Sequence, residues 1–435
     1  MDSFSNLWWA NHVMGELQQA TTGKRPWNLY RFGGLGQQRY PVGFAGDAFQ
    51  DFATLQWQAE LVSSAANVVF PYWSFDIGGY MCYGGDGGCD ANVTSFTGSE
   101  LLTRWYQFGA FSPMFRTHCR QCERRIWLFP YYPHLKDALL MRNALFPYLY
   151  SEARATYDSG LASLHPLYYE WPELDEAYSV KGQYMLGSGV LVAPITAPSV
   201  VGEDGMPTPA LKAVFFPPGA WSNWNGTGVM MGPAWYPPVA YGLGDFPVFA
   251  AAGSLLPLKT MDSVWTGGGV PNPLVWAAFP FAPNTSGTSA YSLYEDDGVS
   301  LAYQIPSSYP GQGAFSNTSA SMAFTYTTGP STSSVTCPVS PIVGGNVPGV
   351  MGTRTHWLQR RGRGAFAPPM GNLTINGQAA LECTGGVVPP QPRTAGACWW
   401  VVGEVDHSMA APSGSLMVST GPLQVQSTAV IQLAW

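Results

Sequence analysis

Along the first third of the chain, apolar positions switch between two periods. Leu7, Val13, Met14 and Leu17 share one stripe and predict an amphipathic helix over residues 7–20, broken by Thr22-Gly23-Lys24. Trp27 to Phe32 predicts a short buried strand, Phe52 to Ala65 a helix, Asn67 to Phe75 a strand, Glu100 to Phe111 a helix and Ser112 to Phe115 a brief strand. Strands alternating with helices of roughly ten to fifteen residues imply βα units on a parallel sheet. About four such units can be counted, where a closed barrel requires eight. From His134 to Tyr157 a long helical stripe (Leu135, Leu139, Arg142, Leu145, Leu149) carries Pro147, which predicts a kink.

After Gly160 the pattern changes. Val190 to Ile195, Ala213 to Gly219 and Phe246 to Pro257 are short apolar strands divided by Pro/Gly turns, as in an all-β sandwich. A third region from about Ser263 continues in that style, with a Gly/Ser/Thr/Pro-rich stretch between about Ser307 and Val350 expected to be a long loop or insertion. No convincing internal repeat is present. The expected organisation is α/β plus all-β: a partial (β/α)8 or TIM barrel over 1–158, a proximal β-sandwich over 159–262 and a distal β-sandwich over 263–435.

Composition supports several domains and narrows the partners. A chain of 435 residues with 46% hydrophobic residues has ample material for cores, and its 50 Gly and 37 Pro fit many turns. A net charge of −7 with only 20 Lys+Arg leaves no basic stripe for a phosphate backbone, so nucleic acid is not expected as a partner. No apolar run reaches the ~18 residues that span a bilayer. Many of the 17 Trp and 22 Tyr lie in Gly/Pro-rich loops, which suits stacking on sugars, although most such residues serve cores and turns.

Seven cysteines are too few for a disulfide scaffold, but Cys82 with Cys89 and Cys119 with Cys122 form close pairs. Five Asn-x-Ser/Thr sequons, at Asn92, Asn225, Asn284, Asn317 and Asn372, point to the secretory pathway or the extracellular space, where disulfides persist. Met1-Asp-Ser-Phe-Ser-Asn-Leu-Trp-Trp has neither a basic segment nor a continuous apolar one, so no signal peptide is expected within this chain. The two readings agree if the natural N-terminus lies upstream.

The chemistry-bearing residues come one at a time, each at the end of an apolar run. Asp47 closes a Gly-bounded turn with Phe44 three residues before it, a setting that suits a carboxyl with a raised pKa working as a general acid. The competing reading is a cap for the helix expected from Phe52. Asp76 precedes Ile-Gly-Gly, where paired glycines permit close approach to a ligand; a turn-forming Asp fits equally. His118, between Arg116 and Cys119, is a candidate sugar-hydroxyl partner, against the commoner structural histidine. Cys119-x-x-Cys122 has no second Cys/His pair nearby, so a local disulfide or inert thiols are preferred to a metal site.

The ordered motifs Arg31…Phe44-Ala-Gly-Asp47, Trp73-Ser-Phe-Asp76-Ile-Gly-Gly-Tyr80 and Glu100-Leu-Leu-Thr-Arg-Trp105…Arg116-Thr-His118 resemble glycoside hydrolase family 31, the α-glucosidase and α-xylosidase family. The similarity continues through Arg142-Asn-Ala-Leu-Phe-Pro-Tyr-Leu-Tyr150, Gln183 to Pro194, Phe216-Pro-Pro-Gly-Ala-Trp221 and Tyr294-Glu-Asp-Asp-Gly298. The resemblance implies that the visible units are about strands 5–8 of the barrel. It implies Asp47 as the catalytic acid/base, Arg31 as a sugar contact, Asp76 and His118 as hydroxyl partners, and Arg116, Trp105 and the Phe44 wall as further substrate-binding groups. The motif at Tyr294 is implied to be structural, and no metal or cofactor is implied.

Two departures stand out. The family's Trp-Ser-Gly-Asp is Phe44-Ala-Gly-Asp47 here, which keeps an aromatic wall. The family's nucleophilic Asp, in a Trp-x-Asp setting, has no counterpart before residue 31, where the only acids are Asp2 and Glu16. A retaining glycosidase needs two carboxyl groups about 5 Å apart. The expectation is therefore a truncated chain of a retaining α-glycosidase acting on an oligosaccharide or glycoside, whose barrel partner is the missing N-terminal half. The alternative is a catalytically inactive glycan-binding or partner-assisting relative.

Overall fold

The computed structural model describes residues 7–301 except 32–35, 41, 82–95, 121, 201, 203–207, 226–227, 261–270, 272–273, 280, 283–284, 286 and 297; beyond 301 it describes the backbone of nine strands. Two compact units emerge: one from 1–142, 155–218 and 232–248, the other from 143–154, 219–231 and 249–435.

In the first unit a π-helix (Leu7–Val13) leads into α1 (Met14–Thr22). Strand β1 (Gly43–Phe44) pairs in parallel with β2 (Trp73–Ser74), in the register Gly43 to Trp73 and Phe44 to Ser74. Single parallel bridges extend this ladder at both sides, Tyr30 to Gly43 on one and Ile77 to Thr117 on the other. Four chain segments thus lie in parallel in sequence order. Between them run α2 (Phe52–Ser64) and α3 (Phe96–Ala110). Helix α2 buries Leu55, Ala59 and Val62, one turn apart, and α3 buries Leu101, Leu102, Trp105 and Phe108. Phe75, at the end of β2, stacks on Phe108 at 4.8 Å and lies 5.7 Å from Trp105. Each such side chain contributes roughly 1.5–3 kcal/mol by leaving water, so the helices hold the short strands in place.

The strands are shorter than the apolar runs suggest, for local reasons. Val69 takes a left-handed φ of 59°, and Pro71 has no N–H for a ladder, so the run from Asn67 pairs only at Trp73–Ser74. Ser112 is a turn residue whose hydroxyl donates to the carbonyls of Gly109 and Met114, and the parallel bridge falls later, on Thr117. The long helix expected over 134–157 is two: α4 (Tyr132–Ala144) and α5 (Phe146–Ser159). Pro147 sits in the first turn of α5, where its missing N–H costs nothing, so it starts a helix instead of kinking one.

A six-stranded sheet follows, of β3 (Leu164–Pro166), β4 (Tyr184–Leu186), β5 (Val190–Val192), β6 (Ala210–Asn223), β7 (Val229–Tyr241) and β8 (Val248–Ala251), ordered β3-β4-β5-β8-β6-β7, with a short α6 (Asp175–Ser179) between β3 and β4. The run from Phe246 to Pro257 divides into β8 and β9 (Leu255–Lys259) about Gly253, whose φ of 81° makes the turn.

The second unit contains β10 (Leu274–Ala278), β11 (Gly287–Glu295), β12 (Thr318–Thr328), β13 (Ser333–Val339), β14 (Thr353–Arg360), β15 (Leu373–Ile375), β16 (Gln378–Ala379), β17 (Leu381–Glu382), β18 (Cys398–Val401), β19 (Leu416–Gln424) and β20 (Ala429–Ala434). Their sheets are ordered β17-β18-β19-β14-β10-β9 and β11-β12-β13-β20-β15-β16. Here the expected loop between 307 and 350 is corrected: β12 (Thr318–Thr328) and β13 (Ser333–Val339) lie inside it and pair antiparallel. The low complexity hid a period-two run, Met322, Phe324 and Tyr326 among threonines, residue types that favour strands. Asp296 of the Tyr294-Glu-Asp-Asp-Gly motif accepts from the hydroxyls of Tyr150 and Tyr294 and from the N–H of Gly298, a structural hub. Among the described residues no helix is long and apolar enough to cross a membrane.

Candidate active site

The ends of the four parallel segments bring most of the sequence candidates to one end of the ladder. Asp47 forms an ion pair with Arg31, Nη1 to Oδ1 at 3.4 Å, with the carboxylate a third exposed and the guanidinium nearly half exposed. The glycine before Asp47 makes this approach possible. Gly46 has a φ of 87°, and a Cβ there would stand 2.8 Å from Arg31 Nε. Helix α2 is capped by Asp51, whose side chain accepts from the N–H of Thr54 at 2.6 Å. Asp47, four residues earlier, is not that cap.

Asp76 is fully buried. Its Oδ1 accepts from Arg116 Nη2, and His118 Nδ1 lies 3.8 Å from the same oxygen. Its Oδ2 is buried without a hydrogen-bond partner among the described residues. Burial pushes the Asp76 carboxyl above its ordinary pKa, the charge of Asp47 adds to that, and Arg116 and His118 oppose it. The guanidinium of Arg116 also rests over the Phe44 ring, 4.6 Å from its centroid. Phe44, Arg116, Asp76 and His118 therefore form one contiguous set.

Trp105 is elsewhere. It is fully buried on α3 among Phe75 and Phe108, so it supports the Asp76 segment from behind and presents no surface to a ligand. Glu100 and Arg104 on the same helix are also interior: Arg104 Nε lies 3.6 Å from Glu100 Oε1, both side chains almost wholly buried. Glu100 accepts from the N–H and hydroxyl of Ser199, and Arg104 donates to the carbonyls of Gly242 and Asp245. They fasten two loops.

Three residues at this end escaped the sequence reading. Tyr80 stacks on His118, ring centroids 5.2 Å apart and planes 7° from parallel. Arg124 donates to the carbonyls of Gly79 and His118, at 2.8 and 3.3 Å. Arg142 on α4 donates to the carbonyls of Ala110, Ser112 and Pro113, fixing the turn that leads to Arg116; burial pushes its pKa down to about 10. Tyr80 could have been suspected from its position beside the Gly-Gly pair, whereas the basic residues look like ordinary surface charges in sequence. Cys119 and Cys122 are joined as a disulfide, while Cys82 and Cys89 lie outside the described residues. Among the described residues no three His, Cys, Asp or Glu side chains gather as a metal site.

A buried carboxylate lies beside Arg116 and His118, a partly exposed carboxyl beside an arginine, and the rings of Phe44 and Tyr80 beside them. Residues 1–152 match the model of the glycosyl hydrolases family 31 TIM-barrel domain, and residues 160–256 match that of the glycosyl hydrolase family 31 C-terminal domain. The chain belongs to glycoside hydrolase family 31.

Within family 31, the chain is 31% identical over 293 residues to mouse neutral α-glucosidase C, covering 66% of this chain and 30% of that protein. It is 28% identical over 294 residues to an α-xylosidase of Saccharolobus solfataricus, covering 66% of this chain and 37% of that protein. The chain thus spans about a third of the length of these curated relatives. The solved structure of a Flavobacterium johnsoniae family 31 dextranase complexed with glucose superposes with a TM-score of 0.75, covering 97% of this chain and 48% of that one at 23% identity. At that identity the likeness establishes the fold alone.

Proposed function

We propose that this chain is the C-terminal part of a retaining α-glycosidase, α-glucosidase-like in its chemistry, with Asp47 as its acid/base. The observation that carries the reading is the convergence of Arg31 with Asp47, and of Phe44, Arg116 and His118 around Asp76, at the ends of consecutive parallel strands. Residues 1–158 would hold about strands 5–8 of the barrel, with β-sandwich domains at 159–262 and 263–435. The family 31 models and the order of the four parallel segments favour that arrangement.

In this reading a sugar occupies the cleavage site with its hydroxyls on Asp76 Oδ2 and His118, and Arg31 holds it beside Asp47. A carboxylate outside this chain attacks the anomeric carbon while Asp47 protonates the departing oxygen. Asp47 then takes a proton from water as that water attacks the glycosyl–enzyme ester, and retention follows from two inversions. A covalent route has support among the structural neighbours: an α-1,4-glucan lyase of Gracilariopsis lemaneiformis is known as a covalent intermediate complex with 5-fluoro-idosyl fluoride. The dextranase has been seen with isomaltotriose, which favours an oligosaccharide as the ligand here. We also place the protein in the secretory pathway, which the exposed Asn225 and the Cys119–Cys122 disulfide support.

The test is Asp47→Asn in the complete enzyme. Hydrolysis of an unactivated α-glycoside is expected to fall about 10²- to 10⁴-fold, and a substrate with a good leaving group is expected to lose far less in its first step. Unchanged hydrolysis of the unactivated substrate refutes the assignment. Sugar binding without turnover by the full natural protein would instead establish a glycan-binding relative.

A further inference from the structure

We propose that Arg124 is a positioning residue that locks the two hydroxyl-recognising groups, Asp76 and His118, into one frame; this rests on the reading of the site given above. The two groups arrive on different segments. Asp76 follows β2 by two residues and leads into the turn Ile77-Gly78-Gly79-Tyr80, whereas His118 follows Thr117, which bridges to Ile77. Their direct approach, His118 Nδ1 to Asp76 Oδ1 at 3.8 Å, is too long for a hydrogen bond. The bridge of Ile77 to Thr117, with the Ile77 N–H donating to the Arg116 carbonyl at 3.0 Å, fixes the two backbones at that point; the turn after Asp76 and the loop after His118 need a further tie.

Arg124 spans the gap with one guanidinium. Nη2 donates to the carbonyl of Gly79 at 2.8 Å and Nε to the carbonyl of His118 at 3.3 Å. The group lies so close against the turn that a Cβ on Gly78 would fall 2.6 Å from Nη2. Behind it, Glu123 Oε1 accepts from the backbone N–H of Arg124 and of Arg125, and the Arg125 side chain grips the same carboxylate, which holds the Glu123 carboxyl down at about 2. Burial lowers the Arg124 pKa only to about 10. The tie therefore stays charged, and its clamp ionised, from mildly acidic to mildly alkaline pH.

A second backbone bond, Arg120 N–H to the Tyr80 carbonyl at 3.0 Å, joins the same two loops but leaves the His118 carbonyl untouched. Among the described residues the Arg124 guanidinium alone holds both Gly79, which precedes Tyr80, and His118, the ring stacked on Tyr80. Loss of this tie is expected to let the imidazole slide off the Tyr80 face.

The experiment follows the His118 imidazole by NMR and measures methyl α-glucoside affinity in wild type, Arg124→Gln and Arg124→Lys, with thermal unfolding as a fold control. Tyr80 shields the stacked ring, so the His118 Cε1–H signal is expected to move toward its exposed position in Arg124→Gln and only partly in Arg124→Lys. Affinity is expected to fall about tenfold to a hundredfold in Arg124→Gln, the range for hydrogen bonds made by a charged group. In a His118→Ala background the same substitution should cost less than about threefold, because the group it positions is gone. A His118 signal identical to wild type in both folded variants overturns the positioning role. Should Arg124→Gln fail to fold, Arg124→Lys carries the test alone. A wild-type protein that binds no α-glycoside overturns the reading of the site instead, and the His118 signal still decides Arg124.

Discussion

At Asp76, burial and charge act in opposite directions. Its carboxylate has Arg116 on Oδ1 and, among the described residues, no partner on Oδ2, and desolvation outweighs the pull of Arg116 and His118, so its folded pKa stands above the ordinary 3.8. The sign for stability follows. Between 3.8 and the folded value the native state binds more protons than the unfolded chain, so stability falls as pH rises through that window. Asp76→Asn, which keeps an acceptor for Arg116 without a buried charge, is expected to abolish that slope while weakening sugar binding at least tenfold, the scale of one charge-assisted hydrogen bond. Urea unfolding from pH 3.5 to 7 checks it; an unchanged slope would show that another group titrates. In the reading proposed above, the oxygen open to a sugar hydroxyl is Oδ2, which has no partner among the described residues.

Helix α3 shows how an interior element supports the strand ends from behind. Its inner face places Trp105 and Phe108 behind Phe75, and its Glu100–Arg104 pair fastens the loops at Ser199 and at Gly242–Asp245. Arg104→Met strands a wholly buried Glu100 and is expected to cost about 3–5 kcal/mol. Adding Glu100→Gln should recover most of that, since the amide oxygen can still accept from Ser199. Denaturant midpoints of the two variants decide it, and a cost below about 1 kcal/mol for the single change would contradict the role. The same helix marks what sequence can disclose. Its amphipathic stripe predicted its extent to within a few residues, and strand-end positions pointed to Asp47, Asp76 and His118, because period and turn chemistry are local. The interior roles of Trp105 and Glu100 were not legible, since burial depends on what packs from 100 residues away, as Ser199 does. Nor were the contacts of Arg124 and Arg142, whose partners are backbone carbonyls with no residue signature. Asp51 rather than Asp47 caps α2, a choice between two acids four residues apart that only the geometry settles.

For the whole molecule, the chemistry proposed above needs a second carboxylate from beyond this sequence, which spans about a third of its curated relatives. Treated alone with a 5-fluoroglycosyl fluoride, the chain is expected to gain no covalent mass; an adduct on any residue between 1 and 435 would overturn the placement of the nucleophile. The opening helices and the segment after them expose Trp8, Trp9, Met14, Leu17, Trp27 and Leu29. A surface of that character associates, so light scattering of the isolated chain should give a mass above the monomer at micromolar concentration. Strictly monomeric behaviour would speak against a missing barrel partner there.

The parallel ladder has one more consequence. Because Arg31, Asp47, Asp76 and His118 each hang from the end of a separate parallel segment, each position can change without disturbing the next, and in the reading proposed above sugar preference can be retuned loop by loop. Arg124 is the exception: it welds two of those loops together. Libraries that randomise the Asp76 turn and the His118 segment independently will then find their winners in pairs, while changes around Asp47 combine freely with either.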